Sequence, residues 1–550
     1  MCRIYPIIGI NLNHNTIDTT KRKTRKHILL FLAVLLVGIF FRVYNFSEYV
    51  RFNPDQSRDA KIVREIVSGK EDAPLLGPKA GGTEFRLGPV FYYFQIFSAK
   101  IWGDTPDKLA YPDLLTSILA IPLLFFFLRK FFPKNISFLS TAVFAVSFYV
   151  IKYARFAWNP NSIPFYVLLF LLSILEISAS DTKRKWLWAV ILGVSLGVGV
   201  QLHSLLLFSF PFVFLIYFSY LFFKKNTAWK FAPLIIFIAL LLNVPMVINE
   251  FQTDGKNTQA FVSGLEKKSN REGGLPYKFV LNSACHIQAN SFMLLPFGST
   301  SRCNFIDRGN NPRENNLLFF HMAFASIFSI GGYYLLFRFW RKEKDEKKKN
   351  FLSLILLYAG TLFLILIPLA AEISLRFFLV LEFMPFLLLS FWCLFLKEKF
   401  PHVKASLIAV LLVILLGLNL YAVIRNFSYL AGNTEEGSNG FEEITLGEIR
   451  FMAEFIEVHN PERKNVYLEG KASELFKIIK SIRYFTDEKG IKASEFGKND
   501  KLLEEDELFL IDLIKNPQKD SELSEKNKAR YNVLDEARYR RIKIYELKEK

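Results

Sequence analysis

The chain has 550 residues, 51% of them apolar, with 58 Phe and a mean hydropathy of +0.23, which excludes an ordinary soluble domain and points to a polytopic membrane protein. A formal charge of +18 would suggest nucleic acid in a soluble protein. Here Lys and Arg fall between apolar runs, as topology signals do, so no nucleic-acid partner is expected.

Residues 1–27 are polar and end in Lys21-Arg22-Lys23-Thr24-Arg25-Lys26, a basic N-terminus expected in the cytoplasm. The apolar run Ile28 to Phe46 that follows is long enough to span the membrane. It lacks a small-residue cleavage site and reads as an uncleaved transmembrane helix. The loop 47–110 is then outside. It opens Phe52-Asn53-Pro54-Asp55-Gln56-Ser57-Arg58-Asp59-Ala60. A helix beginning at Pro54 places Asp55, Arg58 and Asp59 on one face and gives Ile62, Val63 and Ile66 an apolar side. An amphipathic surface helix with an acidic first turn accounts for the same pattern without any chemistry.

Gly88 to Trp102 is apolar but too short for a span and reads as interfacial or re-entrant. Further spans follow at about 111–128, 136–154, 162–178, 186–200, 205–223, 231–248, 317–337, 351–370, 377–396 and 405–423, making about eleven helices. With that count the basic clusters Arg129 to Lys134, Lys183 to Lys185, Lys224-Lys225, Arg341 to Lys349 and Lys397 to Lys399 all lie on the cytoplasmic side. The outer face receives the turn Arg155 to Asn161, the turn Gln201 to Ser204, the loop 249–316, the turn Glu372 to Arg376 and the tail. No matching pair of Gly- or Pro-broken helices and no fixed-period repeat is read.

The four cysteines show no metal-ligand spacing, but Cys285 and Cys303 share the 249–316 loop, where an oxidising compartment would let them pair; two unrelated thiols fit equally. Cys393 lies in a span and reads as packing. Residues 28–424 form the membrane domain. From 425 to 550 the composition is charged and soluble, with short strands at 465–468 and 508–511 around a helix at about 472–483: a small extracytoplasmic α/β domain. It has no phosphate-cradling Gly-rich loop and no nucleophile elbow.

The first span, then Asp55-Gln56-Ser57-Arg58-Asp59-Ala60 with Ile62-Val63-Arg64-Glu65-Ile66, then Gly88-Pro89 with Phe91-Tyr92-Tyr93, resembles the start of the GT-C superfamily of membrane glycosyltransferases. The resemblance is strongest to family 39, the protein mannosyltransferase and aminoarabinose transferase relatives. It covers residues 28–425 in layout, with motif matches confined to the first outer loop and the Arg155 to Asn161 turn. It implies a GT-C-like helix bundle that moves a sugar from a polyprenyl-phosphate donor to a glycan, lipid or protein acceptor at the outer face of the cell membrane. Asp55 matches the essential first-loop acidic residue, and Arg58 the basic residue three places on. Gln56 stands where many relatives have Glu, and Asn159 or Asn161 where they have an acid in the second outer turn.

These departures leave no certain cofactor and keep a divalent metal open, with Asp55 and Glu84 as its only candidate ligands beside Asp59, because such a cation wants several carboxylate oxygens. Transfer needs a carboxylate to take the acceptor proton and cations for the departing phosphate. Asp55, Asp59 and Arg58 are the catalytic candidates. Arg155, Arg376, His203 and Gln201 are the donor-phosphate candidates, and Glu84, Arg86, Asn159 and Asn161 are candidates for the cavity lining. Helix-end snorkelling accounts for Arg155 and Arg376 without a ligand, and a hydrogen-bonded turn for His203. A lipid-linked-glycan transporter or flippase, which would show deep charges and broken helices, and a non-catalytic scaffold are the alternatives.

Overall fold

A computed structural model describes residues 14–270, 273–296, 312–399, 405–435, 444–462, 465–470, 475–497, 506–514 and 523–550. The principal helices of the membrane part are α1 (His14–Val43), α2 (Pro54–Val67), α3 (Val90–Trp102), α4 (Tyr111–Leu128), α5 (Lys134–Val146), α6 (Ile163–Ser178), α7 (Lys185–Leu202), α8 (Ser204–Phe223), α9 (Ala232–Leu242), α10 (Val244–Gln252), α11 (Lys256–Ser269), α12 (Leu275–Leu294), α13 (Pro312–Lys342), α14 (Glu346–Leu366), α15 (Met384–Lys399) and α16 (Ala405–Leu430).

Among the described residues six helices are long and apolar enough to cross a membrane, and two bent helix pairs pass the same test together. Three shorter apolar helices, Ile28–Val43, α5 and α6, complete a set of eleven apolar segments in the order the sequence predicts. Their packed sides share one large core running from Ala120 to Phe391, while Phe, Leu and Ile at positions such as Phe212, Phe237 and Leu240 face outward, as lipid contact requires. α3 has 13 residues, about 20 Å, and is no span.

Four features differ from the sequence reading. The spans 231–248 and 377–396 are not straight: α9 and α10 meet at 57°, and the 3-10 helix Leu375–Leu381 meets α15 at 61°. Pro245 and Pro385 sit in the first turn of the second helix of each pair, where the missing N–H breaks the preceding ladder. Charge is also buried inside the bundle: Arg42 is fully enclosed, donating to Ser117 Oγ (2.9 Å) and to the Ala145 carbonyl (2.7 Å), with Glu382 buried in its electrostatic reach. The 249–316 segment is not a loop throughout, since it contains α11 and α12. α1 reaches back to His14, into the stretch read as a polar terminus. Cys285 is buried in α12, and Cys303 lies outside the described residues, so their pairing stays an expectation; Cys393 is buried in α15.

Beyond α16 the chain forms α17 (Leu446–His459), β1 (Val466–Glu469), α18 (Ile479–Thr486), β2 (Ala493–Glu495), β3 (Glu507–Leu513), β4 (Tyr531–Tyr539) and β5 (Ile542–Glu549). The sheet order is β2-β1-β3-β5-β4, with β1 parallel to β2 and β3, and β5 antiparallel to β3 and β4. The sequence anticipates β1 and β3; β4 and β5 escape it because their charged residues mask the alternation. A second core joins this domain to the membrane part, with Phe52, Ala60, Val63 and Phe91 in one cluster with Ile449, Ile482 and Phe509.

Candidate active site

The order of the site starts at Asn53. Its Oδ1 accepts the Asp55 N–H (3.1 Å) and its own N–H reaches Gln56 Oε1 (3.4 Å), while Pro54 begins α2 with no donor to lose. Helical spacing then aligns the three expected groups. Arg58 donates from Nη1 to Asp55 Oδ1 (3.0 Å) and from Nε to Asp59 Oδ1 (2.9 Å), so one guanidinium joins both carboxylates. The two are not equivalent. The Asp55 side chain is 56% exposed and that of Asp59 is 2% exposed.

Asp59 also accepts the Tyr92 hydroxyl (2.9 Å) from the first turn of α3. Burial pushes the Asp59 carboxyl above its usual range, against the opposing pull of Arg58 and Tyr92. The same contacts raise the Arg58 guanidinium through its two carboxylates, although burial opposes them, and they raise the Tyr92 phenol, chiefly through burial. Gln56 is buried and donates to the Ala157 carbonyl (3.1 Å), locking α2 to the 155–161 turn. Asp59 and Gln56 therefore hold the helix down and Asp55 is presented.

The segment 77–88 leads into α3, whose Tyr92 meets Asp59. Lys79 and Arg86 pair as an antiparallel bridge, and Glu84 is exposed and tied to Lys79 (2.5 Å). The Arg86 backbone is clasped by Asn257 of α11, which accepts its N–H (2.8 Å) and donates to its carbonyl (3.0 Å). Its guanidinium reaches the Gly77 carbonyl (3.4 Å) and lies in the electrostatic neighbourhood of Tyr92. Gly88 is required: a Cβ there would meet Gln201 Oε1 at 2.4 Å.

A basic group forms on the far side of that segment. Arg376 is exposed, with its guanidinium 5.9 Å from the ring centres of Trp158 and Phe377, and it takes no ion pair among the described residues. A Cβ on Gly81 would come within 3.9 Å of its Nη2, so the 77–88 segment reaches the arginine. His203 Nδ1 accepts the Leu205 N–H (3.1 Å), which leaves its proton on Nε2. Burial, then Arg376 and Lys268, hold its pKa down to about 4, so it is neutral at pH 7. Lys268 of α11 donates to the Gly81 carbonyl (2.6 Å) and completes the group.

The remaining expected residues take other roles. Arg155 is buried and donates to the carbonyls of Arg42 (2.7 Å), Phe41 (3.1 Å) and Tyr44 (2.7 Å), so it ends α1 and does not face a ligand. Gln201 accepts the Val90 N–H (3.2 Å) and donates to the Leu242 carbonyl (2.9 Å), which fixes the start of α3. Asn159 donates to the Leu202 carbonyl at the end of α7 (2.8 Å), and Asn161 to the Phe156 carbonyl within the turn (2.7 Å). That turn is further held by Asp113, whose carboxylate accepts the Trp158 N–H (3.0 Å) and the Ser162 hydroxyl (2.6 Å). Sequence reasoning missed Asp113, although a carboxylate opening an apolar span is a signal in itself. It also missed Lys268, and it gave Tyr92 no role in the site.

Asp55 and Asp59 share Arg58, Glu84 is engaged by Lys79, and no group of three His, Cys, Asp or Glu that could hold a metal occurs among the described residues.

Residues 86–248 match the family model described as dolichyl-phosphate-mannose-protein mannosyltransferase. Among solved structures, ArnT from Cupriavidus metallidurans bound to undecaprenyl phosphate aligns with a TM-score of 0.50 at 13% identity, over 94% of this chain and 97% of that one. Its apo state gives 0.50 at 12%, over 95% and 98%. The Archaeoglobus fulgidus oligosaccharyltransferase, in complex with Zn and sulfate, gives 0.50 at 11%, over 84% of this chain and 62% of that one. No curated protein matches by sequence. At these identities the likeness establishes the fold.

Proposed function

We propose that this chain, a multi-pass membrane protein with the fold of the GT-C glycosyltransferases, moves a sugar from a polyprenyl-phosphate donor to an acceptor at the outer membrane face. The observation that carries the reading is a presented carboxylate, Asp55, together with a separate basic group of Arg376, His203 and Lys268 gathered at Gly81, in a chain that aligns over nearly the whole length of a protein solved with undecaprenyl phosphate. The sugar is a hexose or pentose, and the acceptor a glycan, lipid or protein. N-terminus inside and C-terminal domain outside is the orientation that the basic loops support.

In the proposed step the acceptor hydroxyl attacks C1 of the sugar while Asp55 takes its proton. The C1–O bond to phosphate breaks, and polyprenyl phosphate leaves with the electron pair. Arg376 and Lys268 meet the charge on that phosphate, and neutral His203 donates from Nε2. Arg58 holds Asp55 in place through its Nη1 contact. Asp59 and Tyr92 fix Arg58.

The two bent helix pairs and the buried Arg42 and Glu382 are features that a transporter of lipid-linked glycans would also show. Mass spectrometry of lipid-linked sugars and envelope glycans, with and without the protein, separates the two readings. A transferase removes one sugar from its acceptor glycan on deletion and accumulates its charged lipid donor. A change in the sidedness of the lipid alone, with all glycans intact, would favour transport.

A further inference from the structure

α2 is gripped at both ends by the C-terminal domain. Just ahead of the helix, Phe52 N–H donates to the Ile444 carbonyl (3.1 Å) and Leu446 N–H to the Val50 carbonyl (2.8 Å), pairing Arg51 with Thr445. Thr445 is itself fixed, because its N–H and hydroxyl both donate to Glu448 Oε2 (2.9 Å each) and Glu448 is buried against Arg541 (2.8 and 2.6 Å). Phe52 packs on Tyr484 and Phe485 of α18, with ring centres 5.3 and 6.0 Å away. At the other end stands Arg64. Its guanidinium lies 3.9 Å from the centre of the Tyr484 ring, forms an ion pair with Glu488, and is 3.6 Å from the Asp104 carboxylate beyond α3.

We infer that Arg64 is a positioning residue of the active site, setting through Tyr484 and Glu488 where α2 presents Asp55. The inference rests on the transferase reading above. The reasoning is geometric. α2 has 14 residues, and its reactive face is tied to the membrane part through Gln56, Asp59 and the apolar contact of α3. At the far end of the helix Val63, Ile62, Ile66 and Val67 pack into the core shared with the C-terminal domain, and Arg64 adds the polar tie that joins α2, the end of α3 and that domain at one point. A planar guanidinium can stack on Tyr484 and engage two carboxylates together, which the point charge of Lys cannot. Misplacing a reacting group by about 1 Å costs about 100-fold in rate, so a pin two turns from Asp55 is enough to matter. It also gives the C-terminal domain, which has no chemistry of its own in the sequence, a task in the reaction.

The test uses the full-length protein in nanodiscs, assayed with a polyprenyl-phosphate sugar well below its melting temperature, comparing Arg64→Lys, Arg64→Ala, Glu488→Gln and the double variant Arg64→Ala/Glu488→Gln. The inference expects Arg64→Ala to lower kcat about 10- to 100-fold with donor KM within about twofold, because Arg376, His203 and Lys268 sit on other elements. Arg64→Lys should fall between, Glu488→Gln should shift kcat the same way by less, and the double variant should be no worse than Arg64→Ala, since both act on one path. Amide hydrogen exchange in residues 57–66 should quicken at least about tenfold while α3 is unchanged, as a local opening requires. A kcat within twofold of wild type for Arg64→Ala, a rise in donor KM at constant kcat, or exchange quickening evenly through the protein would each overturn the inference. Wild-type protein without transfer activity but with the local exchange change in Arg64→Ala would sink the transferase reading and leave the grip on α2 standing.

Discussion

The two carboxylates of α2 should separate activity from stability when each is changed to the amide. Asp55 is 56% exposed and its one side-chain partner among the described residues is Arg58, so Asp55→Asn keeps its shape and gives up an exposed ion pair worth about 0–1 kcal/mol. Loss of a positioned base costs about 100- to 10,000-fold in rate, which is about 2.7–5.4 kcal/mol of barrier. Asp59→Asn has the reverse profile. The amide keeps an acceptor for the Tyr92 hydroxyl but loses the buried, charge-assisted bond from Arg58, worth about 1.5–3 kcal/mol. Part of that is offset because a buried charge is no longer maintained, which is the meaning of the raised Asp59 carboxyl. Single-turnover transfer from a lipid-linked sugar reports the first effect, and thermal unfolding in the same nanodiscs the second. Asp55→Asn is expected to be inert but as stable as wild type, and Asp59→Asn less stable with a milder loss of rate. Near-normal turnover by Asp55→Asn beside an inert, stable Asp59→Asn would refute the assignment within the pair.

Three further outcomes follow. Arg376→Ala should raise the donor KM more than Arg376→Lys, since Lys keeps the charge and loses the fork, and titration with the polyprenyl-phosphate donor measures both. A cysteine placed at the exposed Lys480 should react with an impermeant thiol reagent on intact cells, and labelling only after permeabilisation would reverse the orientation. His459 is a pH-sensitive tie between α17 and β4. Burial lowers its pKa, but the Phe455 carbonyl (2.8 Å) and Asp535 (2.8 Å) outweigh that and raise it above 6.5. The folded state then holds the proton more tightly, so the tie contributes fully below pH 6.5 and is lost as pH rises through the raised value. His459→Gln should lower the thermal midpoint at pH 6 and leave it unchanged at pH 9, which a melting series across that range reads directly.

The helix order and the face of α2 could be read from the sequence because both follow from local rules: the length of an apolar run, and neighbours three and four apart. The group Asp55, Arg58, Asp59 needs only the helix that Asn53 and Pro54 begin. The roles of Arg155, Gln201, Asn159 and Asn161 depend on which distant carbonyls the fold brings to them, and a polar residue beside a span looks the same whether it meets a ligand or caps a neighbouring helix. Lys268 was legible in part, since Phe261 and Leu265 mark one apolar side of an amphipathic helix, but only the tertiary path of α11 carries it to Gly81 and His203. The bends at Pro245 and Pro385 were written in the sequence and were passed over because the apolar runs continue through them.

Transfer assayed with purified protein, supplied in turn with a polyprenyl-phosphate-linked sugar and with the corresponding free nucleotide sugar, addresses the donor most directly. The basic group and the apolar outer surface suit a charged head on a long lipid, and the chain has no phosphate-cradling Gly-rich loop for a nucleotide. Transfer from the lipid-linked sugar, and none from the nucleotide sugar, is the expected result. Transfer from the nucleotide sugar with no lipid carrier present would contradict it.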